Sequence, residues 1–193
     1  MAKKKGGLSH IYNKDRKCMS LLAKTGVMSR DTLHKLEITD NRIKTYKQSG
    51  LIREVNVPDR HGNGIKTYYE LTDKKGKDFC RKECGVKSFI SNGHATHHNA
   101  KVSEYLTNNL SKKELDSVLS ERELRPLIED RLQEYLDKQE YDHYEELMDA
   151  LKHNQLSMPD IVYKTEQGTL MAIEVVTDNY GNQEITAKLE TAE

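Results

Sequence analysis

The chain has no Trp, two Phe, three Pro and three Cys among its 193 residues. Cys18, Cys80 and Cys84 are an odd number, so no disulfide framework is expected and a reducing compartment suits them. No apolar run approaches the roughly 20 residues that a helix needs to cross a bilayer, so no membrane partner is expected. The start, MAKKKGGLSHIYNKD, is basic and lacks the apolar stretch of a secretory signal. The expected location is the cytoplasm. Hydrophobic residues make up 35% and charged residues 32%, which implies a modest core under a strongly solvated surface. The length suits one large domain or two small ones.

A formal net charge of zero conceals a split. Residues 1–93 hold 21 Lys+Arg against 10 Asp+Glu, while residues 94–193 hold 10 against 21. A basic half points to a polyanion partner, because cation–phosphate contacts release counterions. An acidic half is disfavoured beside that polyanion unless cations or distance intervene. Attraction between two domains is the plainer explanation of the same split.

Within the basic half, Asn13 to Thr25 reads as a helix, with Cys18, Leu21 and Leu22 on one apolar stripe and Gly26 as its C-cap. Ser29 is placed to cap a second helix carrying Thr32, Leu33 and Leu36. A third helix starts at Thr39 or Asp40 and ends at Gly50, with Ile43, Tyr46 and Leu51 available to the core. "LIREVNV" and "IKTYYELT" read as two strands joined by the turn-rich "PDRHGNG". Thr72 or Asp73 then caps a fourth helix.

This order of elements resembles the winged helix-turn-helix family over roughly residues 9–84. "SGLI" and "YYELTDKKGKDF" look like the segments that flank the wing in many bacterial members. The resemblance implies double-stranded DNA as partner, with the third helix in the major groove and the wing on the backbone or minor groove. Arg42, Lys44, Thr45, Lys47 and Gln48 are then the groove-facing candidates, since Arg can read guanine and Gln adenine. Arg60, His61, Asn63 and Lys66 become the wing contacts to phosphate or sugar. Each of these side chains also suits an ordinary solvated helix or turn.

Between the halves, Cys80 and Cys84 precede His94, His97 and His98. Two Cys and two His can make a tetrahedral zinc site. Against this, Cys80 and Cys84 also fall one turn apart on an apolar helix face with Phe79, where core cysteines are the commoner outcome.

The acidic half begins with a helix whose apolar side is Ala100, Val102, Tyr105, Leu106 and Leu110. Ser120 and Glu123 match a capping box, Pro126 interrupts that helix or starts the next, and the charged stretch that follows is helical with a stripe suited to core or homodimer contact. "MPDIVYKTEQGTLMAIEVV" reads as a hairpin. Its second strand is mostly apolar, so both of its faces are expected to be covered. Asp160 stands at the entrance of one strand and Glu174 near the end of the other. Unpaired carboxylates lose free energy on desolvation, so the pair calls for backbone amides, for Arg122 or Arg125, or for a cation.

"PDIVY" followed by "IEVV" resembles the PD-(D/E)xK nuclease signature. The fold class implied is α+β: an N-terminal winged helix-turn-helix followed by a C-terminal restriction-endonuclease-like α/β core. Residues 1–8 form a basic tail, 9–90 the DNA-binding domain and 91–193 the nuclease-like domain. The resemblance implies Mg2+ or Mn2+ held by Asp160, Glu174 and the carbonyl of Val175, with Glu104 assisting from a preceding helix. Val176 stands where that family has Lys, so Lys188 in the following helix becomes the candidate cation. The chain ends at Glu193, before the strand that usually closes such a core, which implies a trimmed core or a shortened chain. "HHNAKVSEYL", "SVLSERELR" and "MPDIVY…IEVVTDNYG" together are similar to the replication-relaxation proteins of mobile elements. That similarity implies a mobile-element DNA-processing or replication-accessory role, and the nuclease signature adds metal-dependent phosphodiester hydrolysis as the activity it implies. The other class kept open is a non-catalytic regulator whose acidic half binds a partner or a second copy.

Overall fold

The computed structural model describes residues 8, 10–59, 62, 64–90, 93, 95–152 and 158–176. The fold is mixed α+β, with eight helices and two three-stranded antiparallel sheets among those residues. It divides into two compact units, Met1–Asp116 and Ser117–Glu193. The expected boundary at 90/91 therefore falls inside the first unit. No helix among the described residues is long and apolar enough to cross a membrane.

The first unit runs α1 (Asn13–Thr25), β1 (Val27–Ser29), α2 (Arg30–Lys35), α3 (Asp40–Gln48), β2 (Ile52–Pro58), β3 (Ile65–Leu71), α4 (Lys75–Glu83), α5 (Thr96–Asn109) and α6 (Lys112–Asp116). Its sheet has the order β1-β3-β2. Local chemistry sets the helix ends. Gly26 takes φ 85° and donates its N–H to the Leu22 carbonyl, closing α1. A side chain at that φ would be strained. Ser29 Oγ accepts from the Thr32 N–H at 3.1 Å and starts α2. Thr39 holds the N-cap position of α3.

The sequence reading has no counterpart for β1. It is three residues long and pairs Val27, Met28 and Ser29 with Glu70, Tyr69 and Tyr68. Three residues are too few to show alternation. Val27 and Met28 are nevertheless fully buried, alongside Met19, Leu22, Leu33, Ile38 and Tyr46. The helix α5 packs against β1, α1 and α2. Its buried Ala100, Val102 and Leu106 cover the core, which is why it belongs to this unit. Tyr105, expected on the same apolar side, is 45% exposed.

Thr72 and Gly76 join the β2–β3 hairpin to α4. Thr72 Oγ1 donates to the Gly50 carbonyl at 2.6 Å and accepts from the Gly76 N–H at 2.9 Å. A Cβ on Gly76 would lie 2.2 Å from the Leu51 carbonyl oxygen, so only glycine lets α4 approach that closely.

The second unit runs β4 (Leu119–Ser120), α7 (Glu121–Asp137), α8 (Tyr141–Lys152), β5 (Ile161–Lys164) and β6 (Leu170–Ile173), with sheet order β4-β5-β6. The Ser120 N–H and Oγ both reach Glu123 Oε2, at 3.0 and 2.9 Å, and the reciprocal capping box is complete. Pro126 does not interrupt α7, which continues through it. The residue is exposed, so the carbonyl deprived of its helical donor stands on the solvent side. Val118, Leu132 and Ile161 are buried and form the unit's small core. The second hairpin strand is not covered on both faces. It lies at the sheet edge, and Leu170 and Met171 are exposed.

Candidate functional site

Two groups of candidate residues are built by separate elements. The first lies on α3. Ile43 and Tyr46 turn inward and are buried. Asn41, Lys44 and Gln48 are exposed at spacings of three and four, so they share one outward stripe. Neither Lys44 nor Gln48 makes a side-chain bond among the described residues. Asn41 was missed in the sequence reading, although the same spacing points to it. Thr45 is half-buried and donates its hydroxyl to the Asn41 carbonyl at 2.8 Å. Lys47 is exposed but paired with Glu54 of β2.

Arg42 is not on that outward stripe. Its guanidinium grips the carboxylate of Asp15, donating from Nε to Oδ1 at 2.9 Å and from a terminal nitrogen to Oδ2, and it also donates to the His10 carbonyl at 2.7 Å. Asp15 is fully buried and accepts further bonds from the Tyr46 hydroxyl at 2.5 Å and the Tyr12 N–H at 2.7 Å. Burial pushes the Asp15 carboxyl up, and the bonds from Arg42, Tyr46 and Tyr12 outweigh it, leaving it below the usual range. The guanidinium also lies over the Tyr12 and Tyr46 rings. Arg42 thus fixes α3 on α1, and its fork is committed there instead of facing a base.

At the N-terminus of α3, Asp40 binds Arg30 and His34. The Arg30 bond, with that of His34, brings the Asp40 carboxyl down to about 2. The acid nearest the outward stripe is therefore neutralised locally.

The strands β2 and β3, expected as a wing, form a seven-pair ladder from Ile52↔Leu71 to Pro58↔Ile65. Lys66 sits near its tip, paired with Asp59 at 3.1 Å, and that bond raises its pKa. Arg60, His61 and Asn63 lie outside the described residues.

The second group is Asp160 and Glu174. Asp160 immediately precedes β5 and Glu174 follows β6, and the register Ile161↔Ile173 brings them to one end of the hairpin. Each carboxylate accepts a backbone N–H from the opposite side of the hairpin end. The Asp160 N–H donates to Glu174 Oε2 at 3.1 Å, and the Val175 N–H donates to Asp160 Oδ2 at 2.9 Å. A carboxylate oxygen of each lies within 4.8 Å of one of the other's. Both residues are half-buried. Arg125 pairs with Glu121 at 3.6 Å, so that arginine is engaged on its own helix.

The remaining candidates are placed differently. Val175 is half-buried and Val176 is 47% exposed, leaving an aliphatic side chain where the expected nuclease signature would carry Lys. Lys188 lies outside the described residues. Glu104 is exposed on α5, in the first unit, where its charge acts on Lys66 and Tyr68.

The zinc alternative finds no assembled site among the described residues, and Cys80 is a core cysteine. No group of three or more Cys and His converges among the described residues. The buried Cys80 donates its thiol to the Met19 carbonyl at 3.5 Å, and His97 meets the Tyr68 ring edge-on. His94 lies outside the described residues.

Comparison of the chain with protein families, curated proteins and solved structures returns no match.

Proposed function

We propose that the first unit is a winged helix-turn-helix that binds duplex DNA, and that Asp160 and Glu174 hold Mg2+ or Mn2+ in a PD-(D/E)xK-like second unit. The observation that carries the DNA reading is the outward stripe Asn41–Lys44–Gln48 on the third helix of a unit ordered α1-β1-α2-α3-β2-β3. Asn and Gln can pair with adenine edges and Lys with guanine. Residues 1–116 hold 24 Lys+Arg against 13 Asp+Glu, the balance a phosphate-binding unit needs. The likeness to replication-relaxation proteins supports a role in mobile-element DNA processing.

The donor set fits a hard divalent cation. Two carboxylates converge at one hairpin end, and oxygen donors are what Mg2+ and Mn2+ take. Such an ion supplies acidity to a bound water and offsets phosphate charge. The two backbone N–H bonds hold the carboxylates in place.

A non-catalytic regulator is the second reading, favoured by two observations. The amide bonds already occupy one oxygen of each carboxylate, and Val176 supplies no cation. Incubating supercoiled plasmid with the wild-type chain and Mg2+ or Mn2+, beside Asp160→Ala, separates the two. Nicking by the wild type alone supports hydrolysis. Equal DNA binding by both proteins with no cutting leaves the regulator.

A further inference from the structure

The first unit contains a groove of about 790 Å3 that neither the α3 stripe nor the carboxylate pair uses. Six cations line it against three acids. Each acid is matched by a cation: Asp116 pairs with Lys17, Glu37 with Lys112, and Glu83 with Arg16. Lys14, Lys24 and Lys35 are the surplus, so the groove is positive. Its floor is apolar. Leu36, Leu110 and Leu115 line it and are half-buried, so each keeps some surface open to the groove. A phosphate backbone would leave that apolar surface unused and would meet the three carboxylates. A helix face that carries acids around an aromatic side chain matches both the charge and the floor.

The outward face of α8 has that character. Tyr141, Glu145 and Asp149 fall four residues apart and share one side of the helix, and Asp142 and Glu146 lie beside them. All five are exposed, Tyr141 by 56%. Tyr144, Leu147 and Met148 occupy the other side, where they are half-buried, and α8 packs on α7. Residues 141–149 include no Lys or Arg to offset the four acids. The chain repeats the match at larger scale. Residues 1–116 hold 24 Lys+Arg against 13 Asp+Glu, and residues 117–193 hold 7 against 18.

We propose that this groove takes the acidic face of α8 from a second copy of the chain, with Tyr141 on the leucine floor and the carboxylates against the lysines. The contact joins unlike surfaces, so two copies related by a two-fold axis make it twice and close as a dimer. Opposite potentials on the two surfaces steer the encounter and fix its register. The aromatic ring supplies apolar area at the centre of the contact, where a large amphipathic side chain contributes most.

The test is sedimentation equilibrium of the full, DNA-free chain across a concentration series. The wild type should form a dimer at about 0.1 M salt, and its dissociation constant should rise about tenfold or more at about 1 M, where the screening length falls from about 10 Å to about 3 Å. Two charge-reversed triple variants sharpen the result. Lys24→Glu, Lys35→Glu and Lys112→Glu together make the groove negative, and Glu145→Lys, Glu146→Lys and Asp149→Lys together make the α8 face positive. Each, with wild-type circular dichroism, should self-associate about a hundredfold more weakly, because like charges then face each other. An equimolar mixture of the two should restore the dimer, since every groove then meets a helix of opposite charge. A monomeric wild type, a dissociation constant unchanged by salt, or a mixture of the folded variants that stays monomeric would overturn the proposal. So would a monomeric wild type whose groove variant loses affinity for duplex DNA, which would make the groove a nucleic-acid surface. Self-association is read without DNA or divalent ions, so it is independent of the function proposed above.

Discussion

Replacing Arg42 with Ala should cost the first unit about 3–5 kcal/mol. Asp15 is fully buried, and among the described residues Arg42 supplies its only opposite charge, through a two-pronged contact. Removing one partner of such a pair leaves an uncompensated buried charge, and costs of that size are typical. The Tyr46 hydroxyl and Tyr12 N–H remain, which favours the lower end of the range. A solvent-facing arginine on a DNA-reading helix would change stability by less than about 0.5 kcal/mol. Urea unfolding followed by far-ultraviolet circular dichroism measures the difference. The pH dependence adds a second check. The folded pKa of Asp15 is depressed, so its contribution is present above the unfolded value of about 3.9 and is lost as pH falls through the folded value. The gap between wild type and Arg42→Ala should therefore shrink as the pH is lowered through that window. A gap under about 0.5 kcal/mol at pH 7, or one unchanged by acid, would refute the reasoning.

Gly76→Ala tests the approach of α4 to Leu51. Helix propensity alone predicts a gain of about 1 kcal/mol, whereas a Cβ at 2.2 Å from a backbone oxygen predicts a net loss of about 1–3 kcal/mol; the sign of the change in denaturation midpoint decides. Ser120→Ala removes half of the capping box on α7 and should cost about 0.5–2 kcal/mol in the unfolding of the second unit. Calorimetric titration with Mn2+ should show one site, and Asp160→Asn should abolish it. An unchanged isotherm in that variant would remove the carboxylate pair from the metal reading.

What could be seen in the sequence was mostly local. Gly26, Ser29 and Thr39 mark helix ends because cap geometry is set by one or two residues. The strand β1 was hidden because its partner is β3, far along the chain, and its own three residues carry no pattern. Arg42 was misplaced for a similar reason. On α3 alone it looks like one more outward cation. The telling residue is Asp15, which occupies the apolar stripe of α1 with Cys18, Met19 and Leu22, and a carboxylate there needs a cation from elsewhere. Tyr46 completes the set from the buried side of α3. Asp160 and Glu174 were legible because strand ends joined by a tight turn must come together. Their bonds to backbone N–H groups depend on register, which apolar residues on both strands leave open. The exposed edge position of β6 was likewise not legible, since an apolar run does not tell which side of a strand is paired.

Binding of labelled duplex DNA, followed by fluorescence anisotropy across a salt series, tests the central claim most directly. The wild type should bind with an affinity that falls steeply with salt, and Lys44→Ala should bind more weakly with the logarithmic slope reduced by about 1. Gln48→Ala should weaken binding to some sequences more than others. No binding by the wild type at about 50 mM salt, or identical curves for wild type, Lys44→Ala and Gln48→Ala, would contradict the account.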